Sequence, residues 1–119
     1  MTRDAAVYLR HIMLCLVRID DYTIEGREAF IRDTKTQDAV IRNLEIIGQA
    51  VRDLGIEQLA NEFASVPWQQ IAGLRNVLAH QYLGVDIGLV WNVVERELAP
   101  LRDAIETLLS RLDSERSPQ

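Results

Sequence analysis

Within the stretch Ile71-Ala-Gly-Leu-Arg-Asn-Val-Leu-Ala-His-Gln-Tyr82, eight residues bring together Arg75, Asn76, His80 and Tyr82. An imidazole with an ordinary pKa of about 6.5 is the natural proton carrier at neutral pH. A guanidinium nearby can hold a phosphate oxygen and stabilise charge that develops on it. A histidine and an arginine without a cluster of acidic ligands point to phosphodiester cleavage that needs no metal. RNA carries its own nucleophile, the 2′-hydroxyl, so one base and one cation suffice. Positioned acid–base help of this kind contributes a factor of about 10²–10⁴ in rate.

These residues need a scaffold. Pro67 upstream and Gly84 downstream are the usual boundaries of a helix, so the stretch reads as one helix of roughly four turns. At about 100° per residue, Ile71, Leu74 and Leu78 form an apolar stripe, and Gln69, Gly73, Asn76 and His80 lie on the far side. Arg75 and His80 are about 140° apart on such a helix and do not share a face. Either Arg75 bends round, or the last turn departs from α geometry, or two protomers share the site. Gly73 supports the third option, because a glycine lets another backbone come close. A two-fold dimer would set two copies of the motif over one cleft.

Structural roles are available for the same residues. Arg75 can pair with a carboxylate such as Asp86, Asn76 can cap or link helices, and Tyr82 can pack at the core edge. His11, on the apolar first helix, reads as structural, and the two tryptophans as core or interface anchors. Asp20, Asp21 and Asn43 are candidates to approach the cleft that spacing alone does not place.

The rest of the chain reads as helices that would position this segment. A first helix spans about Asp4 to Tyr22, with Thr2 as a candidate cap, and its middle is apolar nearly all round, predicting a central place in the bundle. A short second helix covers Thr23 to Arg32 with Thr23 as cap, and Thr34 or Thr36 caps a third running to Leu54. There Val40, Leu44, Ile47, Val51 and Leu54 alternate by four and three, a seam for packing on another helix. Gly55 ends it, and Ile56 to Phe63 is a short helical or irregular connection. After Gly84 the same alternation continues from Ile87 through Trp91 and Leu98 to Leu112, with a kink expected at Pro100. The fold class predicted is all-α: an antiparallel bundle of four main helices plus short helical connections. Residues 1–113 form a single domain, and 114–119 a frayed tail.

Composition agrees. Of 119 residues 48% are apolar, with only 6 glycines and 3 prolines, which suits a helical bundle better than a sheet. The net charge of −5 argues against a protein that coats nucleic acid through a basic surface. Twelve of the 13 basic residues are arginine, so a small phosphate-gripping cleft is still available. Cys15 stands alone, which excludes an internal disulfide and reads as a small buried thiol. The apolar run Ile12–Val17 is too short to cross a bilayer and the N-terminus lacks a signal-peptide layout, so a cytoplasmic protein without a membrane partner is expected.

Arg75-Asn-Val-Leu-Ala-His80-Gln-Tyr82 resembles the R-x4-H-x-Y motif of HEPN-domain proteins of the HepT type. The likeness extends to Asn43-Leu-Glu-Ile-Ile-Gly48, to Pro67-Trp68, and to Gly84-Val-Asp86 through Val90-Trp91. The resemblance implies the toxin half of a type VII-like HEPN/MNT toxin–antitoxin module: a homodimeric, metal-independent RNA endonuclease with no cofactor. It implies Arg75 and His80 as the catalytic pair and Asn76 as a polar helper. It also implies a partner, a minimal nucleotidyltransferase antitoxin that transfers AMP from ATP onto Tyr82. Added phosphate there would fill the cleft and repel the RNA backbone. The reading that competes with it is a non-catalytic helical module that binds a partner or a nucleotide through the same surface.

Overall fold

A computed structural model of the chain describes residues 3–79, 84 and 86–116, with the side chains at 3, 75–79 and 116 outside that description. The described residues form helices α1 (Arg3–Tyr22), α2 (Arg27–Arg32), α3 (Thr34–Leu54), α4 (Ile56–Glu62), α5 (Trp68–Ala79), α6 (Ile87–Asn92) and α7 (Leu98–Arg116). A π-helical turn, Val93–Glu97, joins α6 to α7, and no strand occurs among the described residues. No helix among them is long and apolar enough to cross a membrane.

Three contacts establish the up-and-down course. Tyr8 and His11, early in α1, line one groove with Gln49, Ala50 and Asp53 from late α3, so these helices run antiparallel. Arg52, near the end of α3, donates from Nε to the carbonyl of Ala72, near the start of α5, at 3.0 Å. Asp20, near the end of α1, meets Arg102, near the start of α7, at 2.7 Å. The long elements therefore form an antiparallel bundle in which α3 stands between α1 and α5, and α1 packs on α7.

The core follows the four–three alternation. Leu9, Ile12, Leu16 and Ile19 of α1 are fully buried, as are Val40, Leu44, Ile47 and Val51 of α3. Leu101 and Ile105 of α7 are equally buried. Each such side chain contributes about 1.5–3 kcal/mol relative to exposure. Cys15 lies among them, and burial pushes its thiol pKa up despite Arg18, which acts in the opposite direction.

The other side of α1 corrects the expectation of a helix buried all round. Val7 is 60% exposed, Leu14 46% and Val17 56%. The physical reason is that, among the described residues, α1 packs mainly on α3 and α7, and neither covers its third side. The apolar middle of this helix is two seams on opposite faces rather than one continuous coat.

Local signals at the helix ends also resolve differently from the spacing. Thr23 does not open α2; its hydroxyl donates to the Ile19 carbonyl at 2.7 Å and closes α1. Gly26, at φ 93°, is the residue before α2. The cap of α3 is Asp33, whose carboxylate accepts from the amides of Lys35 and Thr36 and from the Thr36 hydroxyl. A charged acceptor there outcompetes the neighbouring threonine hydroxyls for the free amides of the first turn. Thr36 assists as a donor to the cap. Gly55, at φ 104°, ends α3 as its position suggested.

In the last helix the irregularity precedes the proline. Pro100 has no N–H for the Arg96 carbonyl, and its ring crowds that carbonyl. The widened turn Val93–Glu97 takes up the misfit just upstream, after which α7 continues to Arg116.

Candidate functional site

The motif begins within α5, whose described part ends at Ala79. That helix is anchored at its start and along one side. Trp68 is 2% exposed and donates from its indole N–H to the Phe63 carbonyl at 2.9 Å. Ile71 is fully buried, Ala72 nearly so and Leu74 half-buried, while the side chain of Leu78, the third residue of the predicted stripe, lies outside the description. Arg52 then ties the Ala72 carbonyl to α3. Arg75 and Asn76 belong to the backbone of α5, while their side chains lie outside the description. His80 and Tyr82 lie outside the described residues altogether.

On the outer side of α5, Gln69 is exposed, and a Cβ built on Gly73 would meet nothing within 4 Å. Asn76 follows Gly73 by three positions, which puts it on the same face of the helix.

Beyond the motif the chain is caught again. Gly84 has φ 117°, a conformation that favours glycine. Asp86 caps α6, its Oδ1 accepting from the Leu89 amide at 3.2 Å. That engages the carboxylate considered as a partner for Arg75. Trp91 fastens α6 to the bundle: its ring lies 5.4 Å from that of Phe30 at a tilt of 40°, and its N–H donates to Glu95 at 2.6 Å. The described helices on either side of the segment, α5 and α6, are thus each anchored by a tryptophan.

The other candidates separate. Asp20 is paired with Arg102, and Asp21 is exposed. Asn43 is buried at 5% exposure, its amide N–H donating to the Ala39 carbonyl at 2.8 Å while Oδ1 has no partner among the described residues. It stands nine residues before Arg52, roughly 180° round the helix at about 100° per residue. Asn43 therefore lies on the opposite side of α3 from the residue that grips α5. His11 is exposed and lines the groove between α1 and α3 with Tyr8, Arg42 and Glu45. Arg52 is the positioning residue that spacing did not reveal, because its acceptor is a backbone carbonyl twenty positions away.

Comparison with known proteins decides the family. The family model described as "Ribonuclease HepT-like" matches residues 12–108, which takes in all of α3 and α5, about half of α1 and of α7, and the whole motif segment. This chain belongs to the HepT-like ribonuclease family. A HepT-like relative from Thermococcus cleftensis, named "Probable ribonuclease HepT", is 36% identical over 113 residues, covering 91% of this chain and 98% of its own. Another, from Methanocaldococcus jannaschii, is named "Gamma-glutamylcyclotransferase and putative RNase" and is 36% identical over 118 residues. That match covers 98% of this HepT-like chain but only 53% of the longer relative. No solved structure matches the chain.

Proposed function

We propose that this HepT-like chain is a metal-independent RNA endonuclease and the toxin of a type VII-like HEPN/MNT toxin–antitoxin module, acting in the cytoplasm. Arg75 holds the scissile phosphate, His80 takes the proton from the 2′-hydroxyl, and Asn76 assists by hydrogen bonding. A partner nucleotidyltransferase adds AMP to Tyr82 and silences the cleft. The observation that carries this reading is the family match over residues 12–108, within which R-x4-H-x-Y stands intact from Arg75 to Tyr82. The names of the relatives support ribonuclease activity.

Arg75 and His80 diverge on an ideal helix, so the site is completed across a homodimer. The open space at Gly73 and the exposed Gln69 support a close approach of a second copy along α5. The test is RNA incubated with purified protein in chelator, beside His80→Ala and Arg75→Ala. Cleavage by the parent and its loss in both variants is the expected result. Intact RNA with the parent, together with a stable partner complex, would replace this reading with a non-catalytic binding module.

A further inference from the structure

The groove between α1 and α3 takes no part in the chemistry proposed above. It holds about 300 Å³, the lower end of what accommodates a small ligand, and its lining includes Tyr8, Arg42, Glu45, Gln49 and Asp53. These side chains are not equally engaged. Gln49 donates its amide N–H to the Asp53 carboxylate at 3.1 Å, which occupies that acceptor. Glu45, half-buried, and Arg42, exposed, have neither a hydrogen-bond nor an ion-pair partner among the described residues. Tyr8, also half-buried, brings an aromatic ring to the same groove. A carboxylate held in a groove without a protein donor suits a ligand that supplies the donors.

Placement ties the groove to the motif. Arg52 grips the Ala72 carbonyl across two antiparallel helices. Glu45 lies seven residues before Arg52, and Ala79 seven after Ala72, each roughly 10 Å along its helix at about 1.5 Å per residue. Glu45 is therefore level with the last described residue of α5, which immediately precedes His80 in the chain. Seven residues are about two turns, so Glu45 also shares the side of α3 that carries Arg52.

We infer that this groove is a base-specificity subsite that takes a guanine of the RNA substrate. Glu45 accepts from the guanine N1–H and 2-amino group, Tyr8 stacks on the ring, and Arg42 meets the phosphate of the same nucleotide. The chemistry selects the base. A carboxylate offers two acceptor oxygens and no donor. Guanine alone sets two adjacent donors on its Watson–Crick edge. Cytosine and adenine place one amino group beside an acceptor nitrogen, and uracil one N–H between two carbonyls, so each would turn an acceptor toward the carboxylate. Splayed-out bases of single-stranded RNA are read in this way, by a ring to stack on and hydrogen bonds to that edge. A bare cation is disfavoured by Arg42, one turn from Glu45 on the same helix. The source of the base rests on the proposed function: it belongs to a strand cut at the motif rather than to a free nucleotide.

The experiment has two arms, both on the full chain. In the first, amide NMR spectra are titrated with GMP, AMP, CMP and UMP. GMP should move the amides of Tyr8, Glu45 and Gln49 and bind about tenfold more tightly than the other three, as a bidentate base contact does. Glu45→Gln should abolish that preference, and Tyr8→Leu should weaken all four nucleotides alike while keeping their order. In the second arm, cut sites are mapped in a randomised RNA. The parent should show a guanine at one fixed position relative to the cut, and Glu45→Gln should not. Equal binding of the four nucleotides, shifts confined to other parts of the chain, or a guanine preference that survives Glu45→Gln would overturn the subsite, even where RNA is cut. GMP bound as expected by a chain that cuts RNA without regard to guanine would overturn the strand as the source. The same binding by a chain that cuts no RNA would keep the guanine site and overturn the proposed function instead.

Discussion

Arg52 and Ala72 join the two helices that matter most for the motif: the guanidinium Nε of α3 donates to the α5 carbonyl at 3.0 Å. A carbonyl in the body of a helix already serves the amide four residues on, so this second bond acts as a tether more than as a rescue. Arg52→Ala should lower stability by about 1 kcal/mol, a modest value for a partly exposed bond. The consequence for activity should be larger than for stability, because small displacements of catalytic groups are costly. Thermal unfolding and RNA cleavage of the same variant check this; a fall in both by the same small factor would mean that Arg52 only stabilises.

His80→Ala and Arg75→Ala should each reduce cleavage by about 10²-fold or more while leaving helicity by circular dichroism unchanged. Neither substitution removes a described core contact. A pH profile adds a second readout: a base near neutral pH gives an acidic limb that should vanish in His80→Ala.

Tyr82→Phe should leave the fold intact and abolish adenylylation. Intact mass after co-expression with a nucleotidyltransferase partner and ATP should show whole adenylyl increments on the parent and none on the variant. Increments that persist in the variant would move the modification to another residue and leave the nuclease reading in place.

The cap of α3 titrates. The Thr36 hydroxyl and the amides of Thr36 and Lys35 hold the Asp33 carboxyl below its ordinary range. A carboxyl whose folded pKa is depressed contributes stability that is present above its unfolded pKa, about 3.9, and disappears as pH falls through the folded value. Asp33→Ala should therefore melt below the parent at pH 7, with the gap closing in acid below about pH 4. Melting curves across that range decide it, and a gap independent of pH would assign the loss to something other than the charged cap.

Asn43 keeps one buried oxygen without a partner among the described residues. Leaving such a group unpaired costs about 1–3 kcal/mol, whereas an apolar side chain of similar size removes that cost. Asn43→Leu should thus melt at the parental temperature or a few degrees above it. A lower melting temperature would show that the bond from its amide to Ala39 outweighs the orphaned oxygen.

Much of this was legible in one dimension. The four–three alternation of Val40, Leu44, Ile47 and Val51 marks a buried seam because helical periodicity puts those positions on one side whatever the neighbours are. Gly55 marks a helix boundary because positive φ is easy only without a Cβ. The spacing from Arg75 to Tyr82, and with it the family, is a property of the chain alone. Tertiary structure decided the rest, for physical reasons. Periodicity says which residues can be buried, not whether a neighbour exists to bury them, so Val7, Leu14 and Val17 look like core until α3 and α7 take only the other sides of α1. Thr34 and Thr36 read as the caps of α3 in sequence, and the capping geometry chose the carboxylate of Asp33 instead. The hold of Arg52 on Ala72 depends on two helices running antiparallel side by side, a relation that no local pattern encodes.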